Sequence, residues 1–247
     1  YIYLIIVIYN QYNKTFGIID LLVRSDYINR IFTNNTVPTN LEHFKAPYLN
    51  GKYHYRVIDI KFSTLNLASD GIHLLNSGRM PAYKSQLYIY NEAISEIQGY
   101  NPHCAYICGR RWKYTKNKAT YSGIKCTDRL GVIDFNDYDY DYINKTKKAI
   151  NWYRNVSENG LKWTVYPPTN DNLFPNMKAD SGEWTELKKK IAKNLGEITM
   201  IWNCGVKQRE LAKEQGIDSW HDINCNSELM KIRGERGEIV DKIININ

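Results

Sequence analysis

The stretch RVIDIKFSTLNL, residues 56–67, decides how the chain is read. Val57, Ile58 and Ile60 mark a strand built for burial, with Phe62 following, yet Asp59 and Lys61 stand two apart at its centre. Residues two apart in a strand share a face, so a carboxylate and an ammonium project side by side. Taken alone, the pair fits a surface ion pair of little energetic weight. A strand with such a pair on one face also fits the wall of an active site, and the flanking sequence favours that second reading.

Upstream, YIYLIIVI, the turn NQYNK and TFGIIDLLVRS predict a β-hairpin over residues 1–24. Residues 25–52 read as a polar loop broken by Pro38, Pro47 and Gly51. Downstream, residues 66–80 read as a second loop, rich in Gly, Ser and Asn. Pro81 suits a first helical turn. Tyr83, Leu87, Tyr90, Ile94 and Ile97 then recur at steps of three and four, and Gly99 is a fitting stop. HCAYICGRRW, residues 103–112, reads as a fourth strand. The order strand, strand, strand, helix, strand predicts an α+β core with a mixed sheet and flanking helices. A helix is expected from Tyr142. Residues 164–182, with three prolines, read as a linker, and from Glu183 the chain turns helical and ends in a tail. The expected division is therefore a core over 1–115, an extension and linker over 116–182, and a small helical region over 183–247.

The chain of 247 residues is 43% hydrophobic with mean hydropathy −0.52, as expected of a soluble globular protein. Its 33 Lys and Arg against 26 Asp and Glu leave +7, which favours polyanionic partners. The opening apolar run is too short to cross a bilayer. It has no basic leader segment and no cleavage site. The expectation is an intracellular protein, cytoplasmic or nuclear, with no membrane partner, and an opening Tyr1 in place of Met reads as a fragment of a longer protein. The five cysteines have no CxxC spacing and read as reduced core thiols rather than a zinc or iron–sulfur site.

Three pieces of sequence fit one chemistry: Gly17 and Asp20 in GIID, Asp59 and Lys61 in DIK, and Gln86 and Tyr90 in QLYIY. Asp59 and a neighbouring Asp20 offer the two carboxylates that a hard cation such as Mg2+ or Mn2+ takes, together with waters and a phosphate oxygen. A lysine beside the ion can orient a water or neutralise charge developing on phosphate. Gln86 and Tyr90 lie one helical turn apart and reach the same edge.

In this order on strand, strand and helix, the GxxD, DxK and QxxxY pieces resemble the RecB-type branch of the PD-(D/E)XK nucleases. The resemblance spans residues 15–110. It implies a restriction-endonuclease-like fold and Mg2+-dependent hydrolysis of phosphodiester bonds in DNA, with exonuclease action favoured over endonuclease action. It implies metal ligation by Asp20, Asp59 and the carbonyl of Ile60, a catalytic Lys61, and support from Gln86 and Tyr90. A helicase domain or partner is the expected associate. The rival reading is a non-catalytic nucleic-acid-binding module of a larger helicase–nuclease.

Residues 198–223 resemble a helix–hairpin–helix DNA-binding element, with Asn203 and Gly205 at the hairpin and Lys207 beside it. Backbone N–H groups and a cation in such elements grip phosphate without reading sequence. The bland alternative is a helical hairpin used for packing. Lys188, Lys189 and Lys190 read as a solvated helix face. Arg110 and Arg111 fit either a DNA contact or a solvated strand end.

Overall fold

A computed structural model describes residues 2–34 and 36–246; Tyr1, expected at the start of the first strand, lies outside the described residues, as do Asn35 and Asn247. The chain divides into two compact units, residues 1–154 and 155–247.

The first unit is an α+β layer built on one mixed six-stranded sheet. Strands β1 (Ile2–Asn10) and β2 (Thr15–Arg24) form the expected hairpin. Strand β3 (Tyr55–Asn66) pairs antiparallel with β2 and parallel with β4 (Cys104–Lys116). The long β4 pairs on its other side with β6 (Leu130–Asp134) through its first half and with β5 (Ala119–Gly123) through its second. Helix α3 (Met80–Gln98) makes the crossover between the two parallel strands. Pro81 lies in its first turn, and its C-cap Gly99 adopts φ 68°, a left-handed conformation that glycine takes at low cost.

Helix α3 covers one face of the sheet. Leu22 and Val57 pack there with Leu87, Ile94 and Ile107. The other face packs Val23, Ile58 and Tyr106 with Ile28 and Phe32 from helix α1 (Ser25–Ile31) and its C-terminal end. Here the structure departs from the expected polar loop over 25–52, which contains α1 and the short α2 (Thr39–Glu42). Ile28, Phe32 and Val37 of this segment are buried against that face, with Ile31 and Leu41 partly buried beside them, so it serves as the second cover of the sheet. The sheet also runs past residue 115, since β5 and β6 belong to it. Helix α4 (Asp141–Asn159) follows, with Tyr142 buried against the core, and the boundary between the units falls inside it.

The second unit is helical. Its elements are α5 (Thr185–Leu195), a 3-10 turn at Ile198–Met200, α6 (Val206–Lys213) and α7 (Glu235–Ile246) around a small core of Ile198, Ile201, Cys204, Met230 and Val240. The segment expected as a linker belongs to this unit, because the Pro175 carbonyl accepts from Thr199 Oγ1 at 3.0 Å and from Arg209 Nη1 at 3.4 Å. No helix among the described residues is long and apolar enough to cross a membrane.

Candidate active site

The β2–β3 register, Leu21 opposite Ile58 and Leu22 opposite Val57, places Asp20 opposite Asp59 when extended by one residue. The backbone ladder ends at that point, and a side chain continues it: the Ile60 N–H donates to Asp20 Oδ2 at 2.7 Å. Strand β2 changes its pleat at the same place. Gly17 and Ile19 are buried in alternation, the pattern slips at Asp20 and Leu21, and Leu22 then packs under α3. Across from Asp20 on β1, Ile5 breaks the ladder with φ 51°, which a β-branched residue rarely adopts. The sheet thus opens at the aspartate. Strand β3 has its own irregularity just beyond Lys61, where the register with β4 shifts between Lys61 and Thr64. Such bulges re-aim side chains.

Asp59 is 2% exposed, and Lys61 Nζ lies 2.5 Å from its Oδ2. This ion pair gives the buried Oδ2 a charged partner at one side of the site. Burial pushes the Asp59 carboxyl above its ordinary value, the Lys61 ammonium opposes the rise, and the neighbouring Asp20 adds to it. The Lys61 ammonium also sits 4.5 Å from the centroid of the Tyr83 ring and lines a cleft of about 520 Å3 with Asn66, Ser77 and Arg79.

The remaining expected residues meet around one glycine. Gln86 Nε2 donates to the Tyr90 hydroxyl at 2.6 Å. The Tyr90 ring lies directly on Gly17, where an added Cβ would stand 2.0 Å from Tyr90 Cε1. The glycine of GIID and the tyrosine of QLYIY are therefore two halves of one contact, which fixes α3 against β2 beside Asp20. Tyr83 is the site residue missed at the level of sequence. Its signal is present, since Tyr83, Gln86 and Tyr90 follow steps of three and four on one helical face, but the same spacing also sets Tyr83 in line with Leu87 and Ile94.

The helix–hairpin–helix expectation is corrected. Residues 198–200 form one 3-10 turn, so no first helix adjoins the hairpin. Asn203 does take a left-handed φ of 61°, and Lys207 is exposed. The Gly205 N–H, however, is occupied by Gln208 Oε1 at 3.1 Å, as the cap of α6, rather than presented to a phosphate.

Among the described residues, His103, Cys104 and Asp134 offer three ligand atoms within 4.8 Å of one another. Imidazole and thiol suit softer metals than Mg2+. Burial pushes the Cys104 thiol up to about 12, and the fully buried Arg56 stands beside the group. That arginine donates to His54 Nε2 at 2.9 Å and to the Tyr106 hydroxyl at 2.6 Å, and its charge disfavours a second cation. No family model matches the chain, and no curated protein matches it.

Proposed function

We propose that the chain is a divalent-metal-dependent phosphodiester hydrolase acting on DNA. One observation carries this reading: two carboxylates, the buried Asp59 and Asp20, stand opposite each other across the strand pair, with one ammonium, Lys61, 2.5 Å from Asp59 Oδ2. Two facing carboxylates with a single ammonium leave one negative charge over, which a further cation would offset, and a donor set of carboxylate oxygens suits Mg2+ or Mn2+. Asp20 and Asp59 would hold the ion, and the resemblance adds the Ile60 carbonyl. When bound, the ion supplies an activated water and neutralises charge on phosphate.

The chain's own residues do the rest. The Ile60 N–H fixes Asp20, and the strand pairing fixes Asp59 facing it. Lys61 keeps a positive charge at the mouth of the cleft, where it attracts a phosphate and orients a proton donor or acceptor on the attacking side. The Tyr83 face holds that ammonium in place. Gln86 and Tyr90, locked on Gly17, set the distance between α3 and the carboxylates.

Calorimetry with Mg2+ and Mn2+, run beside cleavage of a labelled DNA, tests the proposal. Asp59→Asn is expected to abolish ion binding. Lys61→Ala is expected to keep it and to lower cleavage by roughly a hundredfold to ten-thousandfold. Ion binding unchanged in Asp59→Asn would reject the assignment.

A further inference from the structure

The charge of this chain is concentrated in one place. Between Arg110 and Arg129 stand seven Lys or Arg and one acid, Asp128, a balance of +6 in a chain of net +7. These residues make the end of β4, strand β5 and the turn leading to β6. Arg111, Lys113, Lys116, Lys118 and Lys125 are exposed, and among the described residues no ion pair involves them. The acid is turned to another use, with Asp128 Oδ2 accepting from Trp112 Nε1 at 3.4 Å.

An aromatic stack accompanies the charge. Trp112 and Tyr114 stack at 6.0 Å, and Tyr114 and its cross-strand partner Tyr121 at 4.9 Å with planes 13° apart. Arg129 lies 4.8 Å from the Trp112 ring and is tied to the Gly71 carbonyl at 2.9 Å. Tyr121, 47% exposed, ends the stack with its ring open to solvent.

The hairpin connects to the candidate site. Gly109 is the β4 partner of Lys61, and Arg110 follows it with its guanidinium 4.6 Å over the Phe62 ring. The cleft at Lys61 shares Asn66 and Ser77 with a second cleft of about 410 Å3, lined further by Lys113, Tyr114 and Thr120. Lys61, Arg79 and Lys113 line this continuous groove, with no carboxylate among its lining residues.

We infer that the groove and the β4–β5 hairpin form a track for a single strand of nucleic acid, with phosphates on Arg111, Lys113, Lys116 and Lys118 and a base on Tyr121. The inference rests on the proposed nuclease reading for the direction of the strand, toward Lys61. Lys116 shares the face of the aromatic stack, Lys118 stands at the hairpin turn, and Arg111 and Lys113 flank the stack from the reverse face, so cations border an open outer ring and meet the two demands of a single strand, phosphate neutralisation and base stacking. Rigid duplex has its bases already stacked on one another and gains nothing from an exposed ring.

The test is fluorescence anisotropy of a labelled single-stranded oligonucleotide with the full chain in EDTA, titrated with salt. The triple variant Lys113→Ala, Lys116→Ala, Lys118→Ala is expected to bind more than about tenfold more weakly at low salt. The slope of log affinity against log salt is expected to fall by about 2, at roughly 0.7 per phosphate contact. Tyr121→Ala is expected to weaken binding by about tenfold with little change of slope. Melting curves should not move, since all four side chains are exposed. Unchanged affinity and slope in both variants would overturn the inference. So would a duplex that loses as much as the single strand in the triple variant while Tyr121→Ala is silent. Strand binding without cleavage in Mg2+ or Mn2+ would reject the nuclease reading and leave the track standing. Cleavage with normal binding by the hairpin variants would do the reverse.

Discussion

Two lysine–aspartate pairs line the α3 side of the sheet, and they are built differently. Lys84 Nζ donates to Asp139 Oδ1 at 2.6 Å, to Asn76 Oδ1 at 2.8 Å and to the Leu74 carbonyl at 2.7 Å, which uses all three of its hydrogens. Asp139 Oδ2 accepts from the Asp134 N–H at 3.2 Å, and both side chains are fully buried. In the other pair, Lys61 is 20% exposed over a cleft, and of its three hydrogens only the one toward Asp59 Oδ2 has a polar partner among the described residues. The first pair is closed and ties the 66–80 loop, α3 and the turn before α4 together. The second is open on one side. A buried charge with every valence filled belongs to folding; one with a valence left over is prepared for something that arrives later.

The largest expected difference between the pairs is in stability. Lys84→Met should cost about 3–5 kcal/mol, because it strands Asp139 in the core. Lys61→Met should cost no more than about 1 kcal/mol, since its stem lies at a wet cleft and Asp59 can take up a proton. Urea denaturation of both variants at neutral pH measures this, and equal losses would erase the distinction between the pairs.

Next in size is Gly17→Ala, expected to cost about 1–3 kcal/mol by driving a methyl into the Tyr90 ring. It should also shift α3 against β2 beside Asp20 and lower metal affinity. A variant with lost stability and unchanged metal affinity would detach this contact from the open pair.

The smallest effect is the most discriminating because its sign differs between the pairs. The Asp59 carboxyl is raised by burial, so the folded state binds its proton more tightly than the unfolded state. The ionised form therefore opposes folding, and this cost grows as pH rises through the folded value and vanishes below the ordinary carboxylate range. Asp59→Asn should stabilise the metal-free protein by about 1 kcal/mol at pH 7, with the gain shrinking as pH falls toward 4. Burial raises the Asp139 carboxyl as well, so the pairs part on their lysines: Asp139→Asn should destabilise the protein at pH 7, since the fully buried Lys84 would lose its counter-charge whereas Lys61 reaches water. Melting temperatures across that range in EDTA decide the matter, and stabilisation by both variants or by neither would refute the contrast.

The open pair was legible in the sequence and the closed one was not, for a physical reason. Asp59 and Lys61 are two residues apart on a strand, so local periodicity alone puts them on one face. Lys84 and Asp139 are brought together only by the fold. The hairpin, β3, α3 and β4 were legible because each has long apolar alternation or helical spacing. Strand β5 was not, since ATYSG is exposed along nearly its whole length and holds its place by pairing and by the stack of Tyr121 on Tyr114. Strand β6 is five residues, a run too short to distinguish by period. Helices α1 and α7 lay hidden in polar segments that place only a few apolar residues inward. The Gly17–Tyr90 contact has no local signature, because glycine in a strand marks close approach without naming what approaches.

Strand β4 joins a buried half to an exposed one, and that has a consequence for its exchange with solvent. Residues 104–109 are buried beneath both layers, whereas all but Trp112 and Tyr114 of residues 110–116 are exposed. Amide protons in the first half should exchange with deuterium only when the whole unit opens, and those of the last residues through local fraying over a much shorter time. A single unbroken strand would then report two clocks, the slow one belonging to the core behind the carboxylates and the fast one to the basic hairpin, free to adjust to whatever strand it meets.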